Sequence, residues 1–334
     1  MNKSFQILTL SILIFSTMIS ISASSWISAW MGLEMNLLSI IPLLILMKNI
    51  RTSESTIKYF ITQVLASMIF ITFIILLMMK MPNSFYGYFP PYMSNKSSII
   101  IKMGSAPLHF WLPSVMEGLS WPSCLIIMTW QKISPFILLS YIFFLSNLMI
   151  IFISASAILG ALGGLNQSNL KKLMAFSSIN HISWMLLAIS MNEITWLIYF
   201  LSYCLISTTI TLISMMFNIS SINQMWNFFN KNLLFKLIIL SSLLSLGGLP
   251  PFLGFFPKWM IITKLIYSNI LLISILVLSS LVTLYFYIRI SFPAIMLSSP
   301  SSSYFSKKFL SSKMEMLLTF LSLMSLLFIP FLMI

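Results

Sequence analysis

The chain has 334 residues, of which 59% are hydrophobic and only 7% are charged. A soluble domain carries about 25% charged residues, so this composition excludes a soluble globular protein and indicates one membrane domain. The formal net charge of +13 does not indicate a nucleic-acid-binding protein, because the basic residues stand singly or in pairs between apolar runs, as expected of membrane proteins. We expect no nucleic-acid partner.

Residues 1–7 run straight into an apolar segment, without a transit peptide rich in Arg and Ser or a small-residue cleavage site. Two origins are consistent with this start: a bacterial protein, or a protein made inside an organelle. The abundance of Ile, Met, Phe, Asn, Lys and Ser suggests an AT-rich gene and favours the second. We therefore expect a mitochondrial inner-membrane protein.

A bilayer core about 30 Å thick requires ~20 apolar residues per helix. By this criterion the pattern predicts an all-α polytopic protein with about eleven transmembrane helices. The predicted spans are 4–22, 26–47, 55–79, 94–118, 122–143, 147–165, 171–190, 194–217, 233–266, 269–292 and 314–333. Residues 82–95 form an aromatic, Pro-rich outer connection, whereas 218–232 and 298–313 are predicted polar connections on the opposite side.

The basic residues at the span ends predict the orientation. Most of them fall on one side of this topology: Lys3, Lys48, Arg51, Lys58, Lys171, Lys172, Lys231, Lys236, Arg289, Lys307, Lys308 and Lys313. On the other side lie Lys80, Lys96 and Lys264. The positive-inside rule then places the N-terminus in the matrix. An odd number of spans places the C-terminus in the intermembrane space.

Proline interrupts the fourth and ninth spans. Pro lacks a backbone N–H and clashes with the preceding helical turn, so both helices are predicted to break, at 105–107 and 247–251. Discontinuous helices in the two halves of a chain are typical of inverted-repeat transporters. We therefore predict a single antiporter-like domain over 1–334, with repeats near 1–145 and 146–292 and a C-terminal helix at 314–333.

Once the loops and span ends are accounted for, four charged residues remain deep inside predicted spans: Glu34, Lys102, Lys132 and Lys258. Each costs roughly 2.5–3.5 kcal/mol on insertion scales, and such residues usually mark ion pathways. A polar translocation path is therefore favoured over a structural role for buried polar pairs, which is the alternative.

The remaining polar residues are less specific. His109 and His181 are candidate proton relays, because imidazole titrates near neutral pH; hydrogen-bonded packing is the alternative for both. The GxxxG spacing of Gly160 and Gly164 predicts close helix packing. No nucleotide-binding motif, metal-ligand spacing or haem arrangement is present in the sequence, so we expect no cofactor in this chain.

Four segments, 30–36, 129–135, 172–181 and 247–259, together resemble the antiporter-like subunits in the membrane arm of respiratory complex I. The resemblance implies a subunit of an H⁺-translocating NADH:ubiquinone reductase, in which other subunits use NADH and ubiquinone. It implies the other membrane-arm subunits as partners, with phospholipids, including cardiolipin. It also implies that Glu34, Lys102, Lys132 and Lys258 match the family's series of proton-carrying residues.

The predicted mechanism starts from a Glu–Lys pair. A nearby carboxylate stabilises the charged form of a buried lysine, so a movable pair is a protonation switch. We expect Glu34 to lie within ion-pair or one-water reach of Lys102, which passes its proton to Lys132 and onward to Lys258. Two alternatives remain: an autonomous cation/proton antiporter, which shares these features, and a non-transporting assembly subunit, which the buried charges disfavour.

Overall fold

The computed structural model describes residues 3–45, 49–79, 91–143, 145–229, 233–266 and 269–296. The described residues form helices and connecting turns without a β-strand, so the predicted all-α class is confirmed. The helices are α1 (Lys3–Ile21), α2 (Trp26–Leu44), α3 (Ile50–Met78), α4 (Pro91–Met103), α5 (Trp111–Gly118), α6 (Trp121–Met128), α7 (Trp130–Ile142), α8 (Asn147–Gly164), α9 (Leu170–Ile189), α10 (Glu193–Met216), α11 (Ile222–Phe229), α12 (Leu233–Gly247), α13 (Phe255–Leu265) and α14 (Ile270–Met296).

Within the described ranges, seven segments are long and apolar enough to cross a membrane. They are α1, α2, α3, α6 with α7, α8, α10 and α14. The predicted helix at 314–333 lies outside the described residues, so the count of about eleven spans stays a prediction. The chain divides into two compact units, residues 1–145 and 146–334.

In the first unit, α2 packs on α1 and α3, and α4 packs on α3 and α7. Small side chains permit the closest of these contacts. A methyl group added at Gly32 of α2 would lie 2.8 Å from the backbone nitrogen of Ser20 on α1. Close backbone approach at glycine is a common way to pack membrane helices.

The connection between α4 and α5 is a non-helical segment. Gly104, directly after α4, has a φ of +78°, which glycine adopts without steric cost. The indole Nε1 of Trp111, at the start of α5, donates to the carbonyl oxygen of Ile101 at 3.1 Å. This bond adds a second donor to a carbonyl at the helix end, which also accepts from the backbone N–H of Gly104 at 3.0 Å.

A further interruption lies at Thr129, between α6 and α7, and the apolar pattern of 122–143 did not predict it. The hydroxyl of Thr129 donates to the carbonyl of Leu125 at 2.7 Å. The backbone N–H of Lys132 donates to the carbonyl of Thr129 at 3.2 Å, three residues back instead of four. Pro135 lies inside α7 and cannot donate to the carbonyl of Gln131. Lys132 therefore lies in the first turn of a distorted helix.

In the second unit, α9 packs on α8, α10 and α14. It is buried on nearly all sides although it carries several serines, an asparagine and a histidine. A methyl group at Gly160 of α8 would lie 2.7 Å from the backbone nitrogen of Asn180. One at Gly164 would lie 2.8 Å from the ring of Phe286 on α14. The close packing predicted from the GxxxG spacing is confirmed.

Part of the predicted polar connection at 218–232 is helical. Its helix α11 buries Ile222 and Met225, and the indole Nε1 of Trp226 donates to the carbonyl of Ile290 at 3.1 Å. The interpretation of this segment as only a polar connection is therefore wrong, because its apolar residues recur at helical spacing and pack on α12 and α14.

The second Pro-rich segment separates α12 from α13. Gly248 directly follows α12 and has a φ of +86°. A methyl group added at Gly254 would overlap the carbonyl oxygen of Ser245. The segment therefore folds back against the C-terminal end of α12, which leaves no room for a larger residue at position 254.

Candidate functional site

A small polar cavity in the first unit joins Lys102 and Lys132. Lys102 is in the last turn of α4 and Lys132 in the first turn of α7, with 8% and 2% of their surfaces exposed. The cavity has a volume of about 20 Å³, and about 10–15 Å³ is enough for one water. It is lined by Leu33, Asn36, Leu37, Tyr59, Gln63, Lys102, Met103, Trp111, Leu112, Ile127, Gln131, Lys132, Ser134 and Pro135.

A hydrogen-bonded chain of neutral side chains runs along the wall of this cavity. Gln131 donates from Nε2 to Oδ1 of Asn36 at 2.8 Å. Tyr59 donates its phenol proton to Oε1 of Gln131 at 3.4 Å. The chain therefore links α3, α7 and α2. One turn beyond Tyr59, Nε2 of Gln63 is buried and has no hydrogen-bond partner, which leaves a donor for a water molecule.

Glu34 lies on α2 and acts electrostatically on the Lys102 ammonium. Its carboxylate oxygen Oε1 is buried without a hydrogen-bond partner. Glu54 and Lys58 on α3 form an ion pair within 4.0 Å, but the described residues Glu34 and Lys102 do not form a direct ion pair. The expectation that one water molecule connects Glu34 to Lys102 stays a prediction.

His109 lies in the segment between α4 and α5 and does not line the cavity. Its Nδ1 is 3.2 Å from the carbonyl oxygen of Pro107, at donating distance. Its ring packs on that of Phe110, with the centroids 4.5 Å apart. These contacts fix the imidazole beside the interruption.

In the second unit, the end of α12 binds the side chain of Lys258. The Lys258 ammonium donates to the carbonyl oxygens of Leu246 and Gly247 at 3.3 and 3.1 Å. Carbonyls at a helix C-terminus lack partners within the helix and carry partial negative charge. The ammonium also lies 5.9 Å from the centroid of the Trp184 ring, within cation–π range. The interruption thus creates a site for a buried cation.

His181 forms a second polar contact in this unit. Its Nδ1 lies 2.8 Å from the phenol oxygen of Tyr199 on α10. The ring of Tyr203 lies 5.1 Å from the imidazole, centroid to centroid. His181 and Trp184 are three residues apart on α9 and share one side of that helix. One helix therefore carries both the Tyr-bonded imidazole and the indole that faces Lys258.

Sequence reasoning singled out the charges but missed their neutral partners. Asn36, Tyr59 and Gln131 line the lysine cavity, and Tyr199 pairs with His181. A buried amide or phenol without a hydrogen bond also costs free energy. That cost could have identified Asn36 and Gln131 from the sequence, because both stand inside apolar runs. Among the described residues, no group of three His, Cys, Asp or Glu side chains could hold a metal ion.

Comparison with known proteins places this architecture in a family. Residues 23–89 and 92–283 match the model of the NADH:quinone oxidoreductase/Mrp antiporter transmembrane family. The NADH-ubiquinone oxidoreductase chain 2 of Anopheles gambiae is 48% identical over 307 residues, which cover 91% of this chain and 89% of that protein. The corresponding chain 2 of Aedes aegypti is 46% identical, over 95% and 94%.

A solved structure of respiratory complex I from Thermus thermophilus contains a chain with the same fold. The TM-score is 0.82 at 22% identity, over 98% of this chain and 79% of that one. The family model covers most of the chain, and the relatives match it almost end to end. The chain therefore belongs to the NADH:quinone oxidoreductase/Mrp antiporter family, among the proteins named NADH-ubiquinone oxidoreductase chain 2.

Proposed function

We propose that the chain translocates protons as a membrane-arm subunit of respiratory complex I in the mitochondrial inner membrane. Other subunits oxidise NADH and reduce ubiquinone, and this chain couples that electron transfer to proton movement. The observation that carries the proposal is the cavity shared by Lys102 and Lys132, which has room for water. Two buried groups that can each hold a proton, with room for water between them, meet the minimum requirement for transfer.

The first step takes place in the first unit. Glu34 acts on Lys102 through its charge and stabilises the protonated amine. When quinone chemistry elsewhere weakens that interaction, Lys102 releases its proton through cavity water to the Nζ of Lys132. The neutral side chains Tyr59, Gln131 and Asn36 position the water and do not change charge.

The series continues with Lys258 in the second unit. Its ammonium is stabilised by two helix-end carbonyls and the Trp184 ring. Proton loss would leave these groups facing a neutral amine. His181, bonded to Tyr199, and His109, beside the first interruption, are the candidate relays.

The family and the distribution of basic residues indicate how the chain is oriented in the membrane and what surrounds it there. The N-terminus faces the matrix and the C-terminus the intermembrane space, as the positive-inside rule requires. The two repeats expected near 1–145 and 146–292 are part of this proposal, and the division of the chain into compact units at residue 145 supports it. The partners are other membrane-arm subunits, and phospholipids including cardiolipin surround the exposed apolar side chains.

An autonomous cation/proton antiporter is the second candidate. The structure of the Mrp complex from Dietzia has a related chain, with a TM-score of 0.73 at 15% identity over 84% of this chain and 59% of that one. Native electrophoresis of mild-detergent extracts tests the two. We expect the chain to comigrate with NADH dehydrogenase activity, and vesicles containing that band to acidify when NADH is added. A chain that runs apart from this activity and exchanges a cation for protons alone would contradict the proposal.

A further inference from the structure

A buried amide near the start of α4 is not used by the mechanism above. Asn95 has 0% of its surface exposed, and both its Oδ1 and its Nδ2 lack a hydrogen-bond partner. An unsatisfied buried polar group costs about 1–3 kcal/mol. Native proteins commonly satisfy such groups with an ordered water molecule. Packing alone would favour an apolar residue here, so the amide points to bound water.

Asn95 lies on the same side of α4 as Lys102. Positions 95, 98 and 102 are separated by three and four residues, the spacing of one helix side. Ser98 is fully buried and donates its hydroxyl proton to the carbonyl of Asn95 at 2.7 Å, so its oxygen can still accept a hydrogen bond. Lys102 lines the cavity. A polar stripe therefore runs ~10 Å along α4 from the cavity to Asn95.

The buried residues next to the stripe show where it ends. Ile99 and Ile100 are fully buried and apolar, whereas Lys96, next to Asn95, is 5% exposed. Two adjacent buried polar residues therefore mark the far end of the stripe. In the predicted topology that end of α4 belongs to the outer connection at 82–95, on the side opposite the matrix. The stripe leads from the cavity towards that outer side.

We propose that Asn95 binds water in a proton-release branch that runs from Lys102 along α4 to the outer side of the membrane. Protonated Lys102 gives its proton to water beside Ser98, and the proton moves to water at Asn95. Lys102 is left as the neutral amine, ready to be protonated again. Asn95 is a positioning residue: it accepts through Oδ1, donates through Nδ2 and does not itself take the proton. This branch rests on the proposed proton-translocating function.

The first test measures water access without measuring pumping. Asn95→Cys and Ile100→Cys are compared in assembled complex with Cys124 and Cys204 replaced by Ala. A small thiol-reactive methanethiosulfonate cation is added to the outer face of intact inner membranes or to the matrix face of inverted vesicles. Asn95→Cys is expected to react from the outer face, and the apolar control Ile100→Cys from neither face. Absence of reaction at Asn95→Cys, or reaction from the matrix face alone, would overturn the branch.

The second test compares stability with pumping. Leu has a volume similar to that of Asn but no amide. If the Asn95 amide binds no water, the Asn95→Leu variant should be at least as stable as the wild type and should pump normally. Our proposal predicts assembled complex of unchanged or higher melting temperature but a loss of protons pumped per NADH, partly restored in Asn95→Ser. Normal pumping by Asn95→Leu removes the branch alone. Wild-type vesicles that do not acidify with NADH would remove the proposed function as well.

Discussion

Gln131 on α7 donates from Nε2 to Oδ1 of Asn36 on α2 at 2.8 Å, across 95 positions of the sequence. The same Gln131 side chain accepts the phenol proton of Tyr59 on α3. One amide thus connects three helices at the wall of the cavity that holds Lys102 and Lys132. It stands next to Lys132 in the chain, so its orientation and the position of the lysine are coupled through the backbone.

Replacing Gln131 with Leu should reduce both stability and pumping. The change leaves Oδ1 of Asn36 and the Tyr59 hydroxyl without their partners, at a cost of about 1–3 kcal/mol for each buried group. Tyr59→Phe is the matched control, because it removes only the longer bond of 3.4 Å. Melting of the assembled complex and NADH-driven acidification of vesicles are the two measurements. Equal effects of the two variants would contradict a central role for Gln131.

The sequence predicts those features of the site that depend on residues close together in the chain. The interruptions next to Gly104 and Gly248 involve residues close together in the chain, so Gly and Pro indicate where to expect them. The buried charges were recognisable because each costs free energy in an apolar span. The hydrogen bond between Asn36 and Gln131 was not recognisable from the sequence, because only the packing of the helices decides which buried amides come into contact.

Two other outcomes show the same limit. The sequence predicted that Glu34 lies within ion-pair or one-water reach of Lys102, and reach through one water stays a prediction. A direct ion pair is not formed, because the distance between two helices depends on all the side chains that separate them. The interruption at Thr129 involves a side-chain hydrogen bond to the carbonyl of Leu125, and the average hydropathy of the segment 122–143 does not reveal such a bond.

Glu34→Gln should lower pumping while assembly stays near normal. Gln keeps the shape of the side chain but removes the charge that acts on Lys102, so the protonated amine loses its stabilisation. Glu34→Asp, which keeps the charge, should retain part of the activity. The control is Glu117→Gln, which removes an exposed carboxylate on α5. Protons pumped per NADH in vesicles is the measurement, and equal values for the variants at positions 34 and 117 would exclude the switch.

Gly248→Ala should impair the site of Lys258 more than Gly247→Ala does. At Gly248, φ is +86° and a methyl group would lie 2.9 Å from the ammonium of Lys258. A non-Gly residue in this left-handed region costs roughly 1–2 kcal/mol, and the clash would move the ammonium from the carbonyls of Leu246 and Gly247. At Gly247 the nearest atoms are 3.4 Å away, with no such strain. Parallel measurements of melting and pumping in the two variants test this; a more damaging Gly247→Ala would refute it.

Lys132→Met separates a proton-carrying role from a structural one. Met is a long, flexible, apolar side chain of similar size, so the packing around position 132 should survive. What disappears is a buried group that can hold a proton at the cavity shared with Lys102. We therefore expect near-normal assembly, a sharp loss of NADH-driven proton translocation, and slower electron transfer to ubiquinone where the two are tightly coupled.

The matched control for Lys132→Met is Lys236→Met, which removes another buried lysine, on α12, that the proposed path does not use. If Lys132 were only structural, its variant would lose assembly or stability and pump normally per assembled complex. Quantifying the complex on native gels and its acidification rate in vesicles distinguishes the two roles, because the first reports assembly and the second reports turnover. Full pumping per complex in Lys132→Met would remove this lysine from the path. A loss confined to Lys132→Met, with Lys236→Met unaffected, would tie that loss to the cavity and not to the removal of a buried charge in general.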